Sequence, residues 1–307
     1  MTIFAPPDRT DGSYAARNLP PILVTAAAIA LFSIMDAVMK RASLASGVYS
    51  ALLLRSVLGA AVLGPLWLLS GARAPRGPLL RLHALRGVLH AGMAVCFFWG
   101  VVRTPLAEGI ALSFIAPLIA LYLAAVQLGE TIRREAILAS LCGLGGVIVI
   151  AATRIGGSAG RTDAGWGIAA ILLSALLYAW NLVLQRRQAQ MAGPLEVALS
   201  QNLFIALSLA PFAPLLWRQP GPGALADIAI AAMLVSSSLM LLAWAYARAQ
   251  AQVLVPIEYT AFGWSALMGW LWFAEPVTAS TLAGLALILV GVWLGTRRGP
   301  ELHTPPA

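Results

Sequence analysis

Three ionisable side chains stand inside long apolar runs of this chain: Asp36, Arg55 and Glu258. A charge at the centre of a bilayer costs roughly 2.5 to 3.5 kcal/mol on insertion scales, whereas each Leu or Ile contributes only about 0.3 to 0.6 in the other direction. Residues kept against that gradient are the candidates for chemistry. Asp36 and Arg55 fall at similar depth in two successive apolar segments, so they can form a structural ion pair. The same two groups can instead act as an outer gate, or as a clamp offering a carboxylate to an ammonium and a guanidinium to a carboxylate. Glu258, in Pro256-Ile257-Glu258-Tyr259-Thr260, shares a helical face with Phe262, Ser265 and Gly269. A carboxyl there can exchange a proton or meet a cationic group on a substrate; bonding to a neighbouring helix purely for packing is the plainer alternative. Asp36 and Glu258 are the two proton-coupling candidates.

The rest of the candidate substrate-binding wall is polar or aromatic: Trp99, Ser113, Trp180, Asn181, Gln201, Trp244, Tyr259 and Trp264. His90, with Met93 and Phe97 on its face, reads as a satisfied structural residue. Cys96 and Cys142 both sit in apolar runs and read as small packing residues rather than a disulfide. No catalytic residue, metal site or cofactor is called for by these spacings. An intramembrane enzyme acting on lipid needs its His, Asp, Glu or metal ligands clustered at one depth, whereas His90, Asp36 and Glu258 are scattered over both halves of the chain.

The elements that must position these groups are membrane helices. The chain is 60% hydrophobic and 10% charged, with a mean hydropathy of +0.84; a soluble domain is about 45 to 50% apolar and ~25% charged. Reading runs and breakers predicts ten helices at about 21–41, 47–70, 83–102, 105–128, 132–152, 165–187, 193–217, 224–248, 252–273 and 277–296, each near the ~20 residues a span requires. Almost the whole of the 307 residues is consumed, which leaves no room for a soluble enzyme domain. The first run follows a polar tail, holds Asp36 and exceeds a secretory h-region, so it reads as a retained helix. The net charge of +8 comes from basic residues between apolar runs rather than along one polar face, which argues against nucleic acid as a partner. With the N-terminus inside, thirteen of these basic residues lie on the cytoplasmic side and six outside, so both termini are expected in the cytoplasm. Arg outnumbers Lys nineteen to one, a composition that suggests a GC-rich bacterial genome.

The second half of the chain repeats the first at an offset of 145: Trp244 falls on Trp99, Arg248 on Arg103, Glu275 on Glu130 and Gly291 on Gly146. Five crossings per copy force the copies into opposite orientations, the architecture of secondary transporters. At the same offset Asn181 aligns with Asp36, and Gln201 aligns with Arg55 after a slip of one residue. The outer layer is therefore expected to be charged and its inner counterpart amide-lined. Pro117 and Pro256 interrupt the fourth and ninth segments, although the two prolines are not themselves matched. The fifth and tenth carry small-residue faces, Ala139, Gly143 and Gly146 in one and Gly284, Gly291 and Gly295 in the other, suited to scaffold or dimer contact.

Leu128-Gly129-Glu130-Thr131 and Phe273-Ala274-Glu275-Pro276, each leading into a Gly-bearing segment, together with Ala107-Glu108-Gly109, Pro117-Leu118 and the Pro256 to Thr260 motif, resemble the drug/metabolite transporter superfamily in its ten-helix, EamA-type branch. The resemblance covers about residues 20–297. It implies an all-α polytopic protein of the bacterial inner membrane: a tail at 1–19, one five-helix repeat at 20–155, a linker at 156–164, an inverted repeat at 165–297 and a tail at 298–307. It further implies a carrier of small metabolites, with a central cavity lined mainly by helices 1, 3, 4, 6, 8 and 9. The expected partners are a small-molecule substrate, membrane lipid and a second copy of the chain. Alternating access of the halves, with or without proton coupling, is the leading reading; a lipid flippase or a channel-like protein is the alternative.

Overall fold

A computed structural model describes residues 12–71, 74–116, 119, 123, 134–155, 161–189, 191–246, 248, 254 and 257–296. The described residues are helical, with no strand among them. In chain order the helices are α1 (Gly12–Ser46), α2 (Val48–Leu69), α3 (Pro78–Val101), α4 (Leu106–Ser113), α5 (Arg134–Ile155), α6 (Arg161–Ala189), α7 (Pro194–Leu209), α8 (Pro222–Tyr246), α9 (Ala261–Phe273) and α10 (Ala279–Thr296). A 3₁₀ turn and a short helical turn extend α7 to Leu216. Six stretches are long and apolar enough to cross a membrane: Leu19–Ser46, Val48–Leu69, Pro78–Val101, Asp163–Asn181, Pro194–Leu216 and Pro222–Leu242.

Local chemistry sets the boundaries. Pro78, Pro194 and Pro222 stand at the first helical position, where the missing N–H is no loss. Gly47, at φ 83, turns the chain from α1 into α2 in a single residue. α9 ends with Ala274 in the left-handed region at φ 52, and the Glu275 N–H returns to the Gly269 carbonyl at 3.1 Å. The left-handed residue ends the helix and this bond closes it, which fixes where the Glu275 side chain leaves.

The principal pairings are α1 with α8, α3 with α6, α2 with α7 and α5 with α10, while α9 packs on α1 and α4. One apolar cluster gathers Met35, Met39, Leu52, Phe98, Ile205 and Ile228; a second gathers Leu106, Leu112, Ile150, Ile171 and Ile288. Lipid is as apolar as these side chains, so close packing rather than transfer from water holds such helices together. The α5–α10 crossing shows this on both sides: a Cβ on Gly146 would lie 2.4 Å from the Gly284 carbonyl oxygen, and one on Gly284 would lie 2.6 Å from that of Gly146. Gly146 and Gly284, one residue from each small-residue face read from the sequence, thus meet within one chain.

Candidate functional site

Two helices are interrupted at positions 145 residues apart. α4 stops at Ser113, and the chain turns through Phe114 and Ile115 with i→i+3 bonding, Ile115 N–H to Leu112 O at 3.3 Å. The helical turn at Ile257 and Glu258 gives way at Tyr259 and Thr260 before α9 begins, with Thr260 N–H to Ile257 O at 3.0 Å. The equivalent residues Phe114 and Tyr259 then meet edge to face, their ring centroids 5.1 Å apart. The Tyr259 hydroxyl is buried there without a hydrogen-bond partner. Pro117, Pro256 and Glu130 lie outside the described residues.

From this meeting point polar side chains run toward both ends of the bundle. At the distal end, where α1 meets α2, Lys40 is buried. Its ammonium pairs with Glu275 Oε1, donates to the Thr104 carbonyl at 2.8 Å and lies 4.8 Å from the centre of the Phe273 ring. Glu275 Oε2 accepts the Leu106 N–H at 2.7 Å, so one carboxylate ties α1, the start of α4 and the end of α9 together. Beside it Arg41 grips Asp227 of α8 with both Nε, at 2.7 Å, and Nη2, and stacks over Trp272. Glu108 accepts from Thr281 at 3.0 Å in the same layer.

The proximal end is built from amides. The buried Arg86 guanidinium donates from Nε to Asn181 Oδ1 at 3.0 Å, from Nη2 to Gln201 Oε1 at 3.1 Å and from Nη1 to Gln188 Oε1. Those three acceptors come from α6 and α7, so a cation on α3 gathers two helices without a carboxylate in contact. Gln188 and Ser200 also reach Nδ1 of His83, whose Nε2 lies 3.1 Å from Glu196 Oε1. A carboxylate can only accept, so this proton sits on His83 Nε2. Glu258 belongs to this region too: Tyr178 lies within electrostatic reach of both Glu258 and Arg86.

Between the two ends lie Asp36, Arg55 and His90. Asp36 and Arg55 are both buried, 5% and 4% exposed, and each feels the other's charge. They nevertheless form no contact pair within 4.0 Å, so the expected direct ion pair is not made. Arg55 Nη1 lies 3.9 Å from the Met35 sulfur, and Arg55 Nε has no hydrogen-bond partner. His90 Nε2 lies 3.2 Å from Gln201 Nε2, and His90 Nδ1 has no partner.

The aromatic candidates divide differently. Arg103 packs its guanidinium 3.6 Å from the Trp99 ring and donates to the Trp99 carbonyl at 2.9 Å; Arg248 does the same with Trp244, at 4.2 and 3.1 Å. The repeated Trp-x-x-x-Arg is therefore a helix-end clasp, which satisfies late carbonyls of α3 and α8. Trp180 lies on the exposed stripe of α6 with Trp166, Leu173 and Leu176, and Trp264 on that of α9 with Leu267 and Leu271. Ser113 bonds back to the Gly109 carbonyl at 2.8 Å. Sequence reasoning passed over Lys40, Arg86, Glu108 and Glu275 as interior groups, although Lys40 is the chain's single lysine. Among the described residues no group of His, Cys, Asp and Glu is arranged to hold a metal ion.

An all-helical bundle with multiple spans, a polar interior and two interrupted helices is a multi-pass membrane protein of the transporter kind. The sequence matches the EamA-like transporter family twice, over residues 19–152 and 165–297, and the chain belongs to that family; it is a transporter, not an enzyme. It is 26% identical to the pseudopaline exporter CntI of Pseudomonas aeruginosa, over 88% of this chain and 93% of that one. It is 30% identical to a probable terminal-alkyne amino-acid exporter of Streptantibioticus cattleyicolor, over 81% of this chain and 82% of that one. A solved crystal structure, 20% identical, superimposes over 91% of this chain and 98% of its own with a TM-score of 0.60, a likeness of fold.

Proposed function

We infer that this chain is a secondary carrier that exports small polar metabolites across the bacterial inner membrane. In this reading residues 20–155 and 165–297 are five-helix halves in opposite orientation, joined by 156–164, with the tails 1–19 and 298–307 in the cytoplasm. The two halves take turns opening to either side of a shared interior. The observation that carries it is the meeting of two helix breaks at equivalent positions, Phe114 against Tyr259, since broken helices at matching sites are where carriers of this architecture bind substrate. The pairing pattern gives further support: exchanging the halves turns α1 with α8 into α6 with α3, and leaves α2 with α7 and α5 with α10 unchanged. Export follows the roles of the two relatives, a pseudopaline exporter and a probable terminal-alkyne amino-acid exporter. The interior groups assigned to substrate are Asp36, Arg55, Gln201, Glu258 and Tyr259, with Glu258 and Asp36 as candidate proton carriers.

Orientation is tested with single cysteines at Arg76 and Gly221, which are 145 residues apart and exposed, after Cys96 and Cys142 are replaced by Ala. A membrane-impermeant maleimide should label Arg76→Cys from the cytoplasm and Gly221→Cys from outside. Labelling of both from one side would rule out inverted halves.

A further inference from the structure

Arg86 stands between two histidines on one face of α3, His83 before it and His90 after. A glutamine bridges it to each. Gln188 Oε1 accepts from Arg86 Nη1, so Gln188 Nε2 donates to His83 Nδ1; Gln201 Oε1 accepts from Nη2, so Gln201 Nε2 donates to His90 Nε2. A guanidinium only donates, which fixes both amides and, through them, both imidazoles. The two rings differ in what a second proton would meet. On His90 it would meet the Gln201 N–H and the positive charges of Arg86 and Arg55. On His83 it would meet an acceptor. Ser200 Oγ lies 3.1 Å from Nδ1 and gives its own proton to the Val197 carbonyl at 3.1 Å, which leaves an oxygen lone pair for the ring. The counter-charge is in place as well, since Nε2–H already donates to Glu196, in the first turn of α7, whose side chain is 18% exposed. The charged and titratable groups described around His83 are Glu196 from α7, Arg86 from its own helix and, beyond Arg86, Tyr178 from α6; Arg81 of α3 is exposed.

We propose that His83 is a proton-binding site that works the proximal closure: a proton taken from water onto Nδ1 is held by Ser200 and Glu196, turns the Gln188 amide away and so removes one acceptor from Arg86. This rests on the carrier reading above, in which that closure has to open. The coupling follows from valence. A protonated Nδ1 has no lone pair for the Gln188 N–H, and an amide reversed to offer Oε1 to the ring would point its own N–H groups at Arg86. Imidazole is the side chain that changes charge between about pH 5 and 8. In the orientation proposed above α3 begins on the cytoplasmic side, so acidification there loosens α6 from α3 while Asn181 and Gln201 keep their hold on the guanidinium.

The test uses the purified full chain in phosphatidylethanolamine–phosphatidylglycerol nanodiscs and needs no transported solute. Nuclear magnetic resonance of isotopically labelled histidine, with His83 assigned through His83→Gln, should show the proton on Nε2 at about pH 8 and both nitrogens protonated at about pH 5. Spin labels on Leu80→Cys of α3 and Met191→Cys beyond α6, both exposed positions, with Cys96 and Cys142 replaced by Ala, should report a longer distance population that grows over the same interval. His83→Gln should remove that growth. Gln188→Leu should keep the titration of the ring and hold the longer population at both pH values. Ser200→Ala, which deletes a single hydroxyl and tests the site even if Gln188→Leu does not fold, should move both changes down by about one pH unit. A His83 ring that stays singly protonated throughout would overturn the proposal, as would a ring that titrates while the labels keep one distance, or a distance change that survives in His83→Gln. If some solute is exchanged by vesicles holding the chain while the labels do not respond, the proton site falls and the carrier reading stands. If the labels respond as stated and no solute is exchanged, the carrier reading falls and the proton site stands.

Discussion

The two ends of the bundle neutralise their cations in opposite ways, those of the distal end being the buried Lys40 and the half-exposed Arg41. At the distal end Lys40 and Arg41 meet carboxylates, Glu275 and Asp227, brought by α8 and by the end of α9. At the proximal end Arg86 meets the amide oxygens of Asn181, Gln188 and Gln201. A contact ion pair away from water is hard to separate, because each partner must be left charged in a poor solvent. An amide that rotates away leaves only a dipole unsatisfied. The distal contacts are therefore the harder to separate without a replacement counter-charge, whereas the proximal ones can be exchanged one amide at a time.

That contrast can be broken most decisively at Glu275. Glu275→Ala strands the Lys40 ammonium, and we expect a loss of about 3 to 5 kcal/mol, read as a large drop in melting temperature in detergent. Pairing it with a partner change, Lys40→Met with Glu275→Leu, should return stability to near the parent's or above it, within about 1 to 4 kcal/mol on the favourable side. A double variant as unstable as the single one would mean that Glu275 acts through the Leu106 N–H rather than through Lys40. Asn181→Leu at the other end removes one of three acceptors from Arg86 and should cost less, roughly 1.5 to 3 kcal/mol, by the same melting measurement. A cost equal to that of Glu275→Ala would erase the distinction drawn between the ends.

The Trp-x-x-x-Arg clasp is the feature both ends share, so Trp99→Leu and Trp244→Leu should weaken the fold equally, by about 0.5 to 1 kcal/mol each. Unequal losses would show that one tryptophan does more than hold its arginine. The smallest effect belongs to the surface pair Arg103–Asp163, whose carboxylate is 74% exposed. Asp163→Asn should move stability by no more than about 0.5 kcal/mol, and adding salt to the parent should change as little.

Much of this was legible in the sequence. The spacing of 145 pointed to the clasp and to the equivalence of the two interrupted helices, and the cost of burial pointed to Asp36 and Arg55 as interior groups. A charged layer opposite an amide layer was also readable from the alignment of Asp36 with Asn181 and of Arg55 with Gln201. The identity of the charged layer was not: it is Lys40 and Arg41 with their carboxylates, while Asp36 and Arg55 lie deeper. The reason lies in where apolar runs stop. The first run breaks off at Lys40 and Arg41, yet α1 continues to Ser46, because Glu275, Asp227 and Thr104 neutralise those cations from other helices. The third run starts after Arg81, yet α3 begins at Pro78 and carries Arg86 two turns in, solvated by side chains a hundred residues away. A hydropathy reading ends a helix at a charge; only the fold reveals that the charge has been answered. Trp180 and Trp264 went astray for a related reason, since depth along a helix does not tell which way its face is turned.

The Gly146–Gly284 crossing carries a further consequence. Backbone there rests on backbone, and the Ile150 and Ile288 side chains close over the two glycines from either helix. If the halves rock as proposed, so close a crossing resists separation and would serve as a fulcrum. A wider residue at either glycine would push the levers apart before any cargo arrived.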